Sequence, residues 1–455
     1  MVPNELQDFY ITSPMREGVL CWYPFDRNSS VLDLSGGVLT ELLKNRCLRH
    51  NEEVKTKQSG KQEQYDYIVI IDPPDFSVEE LTNLKNKLTP HGRLLIAYEN
   101  PFAIRYWSGK SAPNTKLPYN TLFGQGDSPL PSKAEMETRL DLAGFKGQKW
   151  YFPLPDHWFA TEIYSGSYLP NEHLNHRYLH YVSDDENLQF DEFGLFREVI
   201  RNGAFEFMCG SYLIEARVNS CDDPCTVDYA AVTAYRKPAK RFATTVEKNH
   251  FVRKKPLHPD GLAALNEMKK NHDYLANLGI NILEMNQHDD VLTMPRVDLP
   301  ILNDYWAGKI SKGTFSENEM IAQYDRIRNM IYKAAKDGRC YWEIVPANCF
   351  YDEENDEIIL FDQEYYSDGI SPDVALARAI LAFEYSPVLS VNPNSKKWMK
   401  RLKERYDLTG NWDELAATAH EKTWKEVVGN GYQPLVHTTI KARKRTEEKR
   451  GANKK

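Results

Sequence analysis

The chain has 455 residues, 41% hydrophobic and 27% charged, which is enough for two or three folded units and excludes a mainly disordered or fibrous protein. Its 57 Lys and Arg against 65 Asp and Glu leave a net charge of −8, which argues against a surface built to hold nucleic acid or anionic lipid; an anion site must be local. The longest apolar runs are far short of the ~20 residues that span a bilayer. The start MVPNELQDFY has neither the basic end nor the apolar core of a signal peptide, so a cytoplasmic protein is expected. Seven scattered cysteines suit a reducing compartment, and Cys221 and Cys225, with no second pair or His cluster, read as two thiols in a polar loop rather than a zinc site.

The first 170 residues alternate between strand and helix patterns. Ser30-Val31-Leu32-Asp33-Leu34 is a strand ending at Ser35-Gly36-Gly37, with helical spacing over 38–43. A second strand, 65–71, ends at Asp72-Pro73-Pro74-Asp75, and 78–88 is helical. Pro90-His91-Gly92 reads as a turn and 93–98 as a third strand ending at Glu99-Asn100-Pro101. Ser132, with Glu135 at the capping-box position, starts a helix that stops at Ala143-Gly144-Phe145. Such alternation predicts a parallel sheet covered on both faces.

Beyond Pro170 the chain turns polar and acidic over 183–191, where a boundary is expected. Segments 205–217, 230–235, 241–246 and 251–255 read as an antiparallel sheet, followed by a helix over 259–278 and a strand over 291–297. Helices then dominate at 316–337, 372–383, 395–406 and 412–428, with a hairpin over 349–362. A β-rich lobe thus precedes a helix-rich one. The last fifteen residues, with eight Lys or Arg, read as a solvated, frayed tail.

Val31-Leu32-Asp33-Leu34-Ser35-Gly36-Gly37 resembles the first motif of class I S-adenosylmethionine-dependent methyltransferases. Tyr65-Asp66-Tyr67-Ile68-Val69 and the 88–96 segment resemble later strands of that family, so the resemblance covers roughly residues 12–168. It implies a Rossmann-like α/β domain with Asp33, Ser35, Gly36 and Gly37, and Glu99 and Asn100 at a strand end, on the cofactor side. No second strand with an acidic end is recognisable between Leu43 and Tyr65, which implies a degenerate domain that has lost ribose contacts. Asp72-Pro73-Pro74-Asp75-Phe76 is similar to an amine-binding motif of amino-group methyltransferases, but its aromatic residue comes one place late, and a strand-ending Pro-Pro turn is the simpler reading.

Phosphoryl transfer needs a Lys on the phosphates, a carboxylate by the attacking hydroxyl and oxygen ligands for Mg²⁺. Glu343-Ile344-Val345-Pro346-Ala347-Asn348 has the acid-x4-Asn spacing of the kinase catalytic loop, and 358–362 is a strand ending in Asp362. The 251–255 segment resembles the strand that carries the phosphate-binding lysine. Asp362-Gln363-Glu364-Tyr365 resembles the Asp-x-Glu-Tyr of choline-kinase-like and aminoglycoside-phosphotransferase-like enzymes. The resemblance implies an α+β two-lobed kinase-like domain that binds ATP and Mg²⁺: Lys254 on the phosphates, Glu267 as its ion-pair partner, Glu343 as the catalytic carboxylate, and Asn348 and Asp362 as metal ligands. Two departures stand out: Glu343 replaces the usual Asp, and no Gly-rich loop covers the phosphates, Asn202-Gly203-Ala204 and Cys209-Gly210-Ser211 being the nearest substitutes.

The expected organisation is therefore 1–170 methyltransferase-like, 171–440 kinase-like with lobes at about 190–297 and 298–440, and a basic tail 441–455. Both halves together resemble bacterial methyltransferase–kinase proteins of surface-polysaccharide (O-antigen or capsule) biosynthesis; Tyr98-Glu99-Asn100-Pro101-Phe102-Ala103-Ile104-Arg105-Tyr106-Trp107 and Phe361-Asp362-Gln363-Glu364 carry that likeness. It implies a kinase-like activity on a sugar or lipid-linked glycan, glycosyltransferases or other glycan-assembly proteins as partners, no nucleic acid, and at most peripheral membrane contact through the basic tail. Two alternatives stay open: a non-catalytic scaffold, and an active methyltransferase. Tyr106, Trp107, Trp150, Tyr151, Phe152 and Trp158 offer rings suited to sugars, although such residues are more often core.

Overall fold

The computed structural model describes residues 12–47, 49–52, 64–111, 117–123, 130–172, 174, 185–248, 250–386, 389–390, 392–428 and 433–452. Among these described residues sixteen strands are assigned in chain order. They are β1 (Ser30–Asp33), β2 (Arg49–Glu52), β3 (Tyr65–Ile71), β4 (Leu88–Glu99), β5 (Gly147–Leu154), β6 (Glu162–Ser165), β7 (Ser211–Arg217), β8 (Val227–Val232), β9 (Phe242–Glu247), β10 (Phe251–Pro256), β11 (Asn286–His288), β12 (Val291–Pro295), β13 (Arg339–Cys340), β14 (Cys349–Asp352), β15 (Glu357–Leu360) and β16 (Ser367–Asp368). The first twelve form one mixed sheet in the order β11-β12-β10-β9-β8-β6-β5-β7-β4-β3-β1-β2.

In the first half of this sheet β2, β1, β3 and β4 run parallel. Successive residues of a strand face opposite sides, and here both sides are apolar. Ile68, Ile70, Leu94 and Ile96 pack with Leu81 and Leu84 of helix Val78–Asn86 and Met136 and Leu140 of helix Lys133–Leu142. Val69, Ile71, Leu95 and Ala97 pack with Leu39 and Leu43 of helix Val38–Arg46. The expected parallel sheet covered on both faces is present.

Three sequence expectations are corrected. A second strand does follow the first helix: β2 lies parallel to β1, with Glu52 in register with Asp33. Its four residues, Arg-His-Asn-Glu, are polar, so no hydrophobic pattern announces it. Pro90-His91-Gly92 is not a turn but part of the twelve-residue β4; a Cβ on Gly92 would meet the Leu88 side chain at 2.8 Å. The segment 205–217 is not one strand of a later sheet. Phe205–Met208 is a helical turn, and β7 inserts antiparallel between β4 and β5. With Phe196 of helix Glu192–Arg201 and Phe205 in the same core, the chain as far as Arg217 builds the first half, so the change of texture seen near 183 does not mark its end.

The sheet continues antiparallel through β8, β9, β10 and β12, with helix Gly261–Asn277 packed on it through Leu265 and Met268. A helical part follows, Leu302–Ser311, Glu317–Ala334, Pro372–Ile380, Ser395–Arg405 and Trp412–Glu421, around a core that includes Trp306, Tyr324, Trp342 and Phe383. The tail expected to fray is helix Gln433–Ala452 as far as residue 452. Leu435 and Ala442 are fully buried, and Lys449 Nζ donates to the carbonyls of Glu186 at 2.6 Å and Leu188 at 2.9 Å. Among the described residues no helix is long and apolar enough to cross a membrane.

Candidate functional site

Four of the five residues assigned to phosphoryl transfer meet in one place. Lys254 sits on β10, flanked in register by Thr244 of β9 and Leu292 of β12, and is only 6% exposed. β15 pairs with β14 and ends two residues before Asp362. Its Leu360 also accepts from Leu283 N at 2.7 Å and donates to Asn281 O at 3.0 Å, so the strand is fixed to the segment that follows helix Gly261–Asn277. Lys254 Nζ lies 3.1 Å from Asp362 Oδ1 and 3.3 Å from Oδ2, and also pairs with Glu364 Oε1. The other carboxylate oxygen of Glu364 accepts from Arg236 at 2.5 Å.

The acid-x4-Asn segment closes on itself through one carbonyl. Pro346 starts a short 3-10 turn, and the Glu343 carbonyl accepts from Val345 N at 2.9 Å, Asn348 Nδ2 at 3.0 Å and Gln363 Nε2 at 3.3 Å. Phe361 N donates to Asn348 O at 3.1 Å, which brings Asn348 beside the strand end that carries Asp362. The Glu343 carboxylate accepts from Arg378 Nη2 at 3.3 Å. Burial, reinforced by Glu364, pushes its pKa up to about 7 against the pull of Arg378. Burial also works to raise Glu364, yet Arg236 and Lys254 overcome it and hold that carboxyl well below its ordinary range. Lys254 is likewise opposed by burial and kept above its ordinary value by Asp362 and Glu364.

Glu267 is not the partner of Lys254. It pairs with Lys270 at 3.5 Å on its own helix, and Glu364 takes the place expected of it. Asp-x-Glu-Tyr was visible in the sequence, but the role of its Glu was not, because the cations that meet it lie more than a hundred residues upstream. The two Gly-containing stretches suggested as phosphate loops belong to the first half. Gly203 follows helix Glu192–Arg201, and a Cβ on Gly210 would meet Pro155 O at 2.0 Å. The connection that faces Asp362–Tyr365 is instead 233–241, between β8 and β9, from which Arg236 also donates to Tyr365 Oη at 3.1 Å.

Several buried polar atoms around this site have no hydrogen-bond partner: Arg236 Nε, Asn271 Oδ1, Trp342 Nε1 and Gln363 Oε1. A buried donor or acceptor left unmade costs about 1–3 kcal/mol, a cost that a buried water removes.

The methyltransferase-like residues lie at the carboxyl ends of β1, β3 and β4. Asp33 Oδ1 accepts from Ser35 N at 2.8 Å and Ser35 Oγ at 2.5 Å, shaping the turn. Gly36 and Gly37 have φ of +70° and +63°, and a Cβ on either would meet open space, so the glycines serve the backbone turn and leave room in front of it. Glu99 pairs with Arg105 at 3.4 Å and Lys110 at 3.5 Å. Asn100, fully buried, donates to Phe207 O and Cys209 O at 2.8 Å each and accepts from Phe102 N at 2.9 Å. It clasps the chain to the loop before β7 rather than reaching a cofactor.

A group the sequence reading missed stands on the same rim. Asp72, at φ +50°, lies 2.9 Å from His157 Nε2, and His157 Nδ1 lies 2.8 Å from Ser211 Oγ. Burial lowers the imidazole, but Asp72, Asp156 and Glu99 together outweigh it and raise it overall. Asp72 was visible in its Asp-Pro-Pro string; His157 carried no sequence signal. Of the rings proposed for sugars, Tyr106, Trp150, Tyr151 and Phe152 are core, whereas Trp107 is 43% exposed and Trp158 lies under Arg16 at 4.2 Å.

No family model matches this chain, and no curated protein matches it. Among solved structures, the kinase domain of PknI from Mycobacterium tuberculosis is similar to it at 17% identity over 41% of this chain and 92% of that one, TM-score 0.27. WaaP in complex with acyl carrier protein gives 11% identity over 40% and 83%, TM-score 0.28. The apo-form of the mycolic acid cyclopropane synthase CmaA1 gives 10% identity over 44% and 86%, TM-score 0.23.

Proposed function

We propose that the second half of the chain binds Mg²⁺-ATP and transfers a phosphoryl group to a hydroxyl of a sugar or lipid-linked glycan. The observation that carries this reading is the convergence of Lys254, Glu343, Asn348 and Asp362, drawn from segments about a hundred residues apart, in one partly buried group. The donor set suits Mg²⁺, which takes hard oxygen ligands from one or two side chains and completes its shell with phosphates and water. Asn348 spends its Nδ2 on the Glu343 carbonyl, leaving Oδ1 as a ligand, and Asp362 keeps 31% of its side chain exposed. Bound Mg²⁺-ATP supplies the phosphoryl group and the metal neutralises its charge. Lys254 holds the phosphates, and Glu343, poised near neutrality, takes the proton of the acceptor hydroxyl.

Thermal shift with Mg²⁺-ATP tests the reading. At 100 times Kd the ligand adds about 2.7 kcal/mol of stability. Asp362→Ala is expected to abolish that gain, whereas Glu343→Gln keeps it and loses turnover. Unchanged ATP affinity in Asp362→Ala overturns the assignment. Binding without turnover on any glycan acceptor favours the scaffold, in which the chain organises other glycan-assembly proteins.

A second reading is favoured by β2. Its position beside β1 and its end at Glu52 supply the acidic strand end whose absence argued against S-adenosylmethionine. Under this reading the rim formed by Ser35, Gly36 and Gly37 holds that cofactor, whose chemistry is methyl donation. Gly36→Asp keeps a residue that tolerates positive φ while adding a charge. It should lose S-adenosylmethionine binding, and silence of the wild-type protein toward the cofactor ends the reading.

A further inference from the structure

The 233–241 connection holds Arg236, Lys237, Lys240 and Arg241 and no acid. Two of these cations are turned to other work. Lys237 N donates to Val427 O at 3.1 Å and its Nζ to Lys425 O, while Arg241 Nε donates back to Arg236 O at 2.6 Å. The other two stand over the Asp362–Tyr365 strand end. Arg236 meets Glu364 and Tyr365, and Lys240 Nζ is 4.6 Å from the centre of the Tyr365 ring.

Glu364 holds Arg236 on one carboxylate oxygen and Lys254 on the other. One buried anion therefore fixes two cations side by side, although the cations repel each other. The Arg236 side chain stays 18% exposed beside this buried pair. If Asp362 turns to a metal ion, Lys254 and Arg236 share a single carboxylate between them and carry a net positive charge. A planar guanidinium beside an ammonium matches the oxygens of linked phosphates, which Arg grips bidentately and Lys as a point charge.

We infer that Arg236 and Lys240, with Lys254, form a seat for a polyphosphate chain, so that side-chain cations of the 233–241 connection do the work for which the sequence offers no Gly-rich loop. This rests on the nucleotide reading for the identity of the ligand, but the seat itself requires only linked phosphates. Calorimetric titration of the full chain with Mg²⁺-tripolyphosphate, Mg²⁺-ATP and adenosine, in wild type, Arg236→Gln and Lys240→Gln, separates the two.

The seat predicts that Arg236→Gln weakens tripolyphosphate and ATP by about tenfold to a hundredfold, the worth of a charge-assisted hydrogen bond, and leaves adenosine unchanged. Lys240→Gln, which leaves the Arg236–Glu364 and Lys254–Glu364 pairs in place and serves where Arg236→Gln does not fold, should weaken both by about threefold. Wild-type binding of tripolyphosphate but not ATP upholds the seat and overturns the nucleotide reading. ATP bound equally by wild type and both variants keeps the nucleotide and overturns the seat, as does an equal loss of adenosine in Arg236→Gln. Failure of the wild type to bind either phosphate ligand overturns both.

Discussion

Glu192 shows how a single carboxyl can set the response of the fold to pH. It opens helix Glu192–Arg201, is 9% exposed, and is pushed up to about 7 by burial despite Arg105 and Lys110 nearby. The unfolded chain releases that proton near the ordinary value of 4.5, whereas the folded protein keeps it until about 7, so stability falls as pH rises between the two. Glu343 acts in the same direction. His157, raised above its ordinary 6.5, also gives up stability as pH climbs through its folded value. Glu364 has the opposite sign and loses its contribution only in acid. Urea unfolding should therefore show a more stable protein at pH 5 than at pH 8. Glu192→Gln is expected to narrow that gap by roughly 2–3 kcal/mol; an undiminished gap would mean that Glu192 is already ionised when folded.

At the level of elements, helix Lys133–Leu142 begins as its sequence says. Ser132 Oγ accepts from Glu135 N, and Glu135 returns a carboxylate to Ser132 N at 2.8 Å. Ser132→Ala should cost about 1 kcal/mol in a urea titration, and no loss would show that the helix is held by Met136 and Leu140 alone. Local signals of this kind made much of the fold legible: β3 runs over the same residues as its apolar stretch, and helices Ser395–Arg405 and Glu317–Ala334 follow their periodicity closely. The acid-x4-Asn spacing and the strand ending at Asp362 were legible for the same reason, since each is confined to a few residues. Strand β2 was not, because its four residues are polar, and β7 was misplaced because only long-range pairing sets it between β4 and β5. Glu267 was assigned from its place on a helix, but the partner of Lys254 is settled by tertiary approach, and there Glu364 is nearer.

Across the whole molecule, the first half, β2 to β6 in the sheet order, and the second, β8 to β11, share one sheet. Their seam is short, with Glu162 opposite Ala231 and Ile163 opposite Ala230, and Tyr229 donates to the buried Glu162 carboxylate across it. Strands joined in this way should melt together, and scanning calorimetry is expected to give one endotherm; two resolved endotherms would show that the seam does not couple the halves. The sheet remains open, and an open sheet presents unpaired backbone donors and acceptors that can recruit a further chain. At one margin that invitation is very small. β11 is three residues long, Asn-Gln-His, with both ends exposed. A visiting strand could form only a few bonds there and would find no greasy surface to cover, so ribbon-like polymers should not grow from this side even in crowded solution.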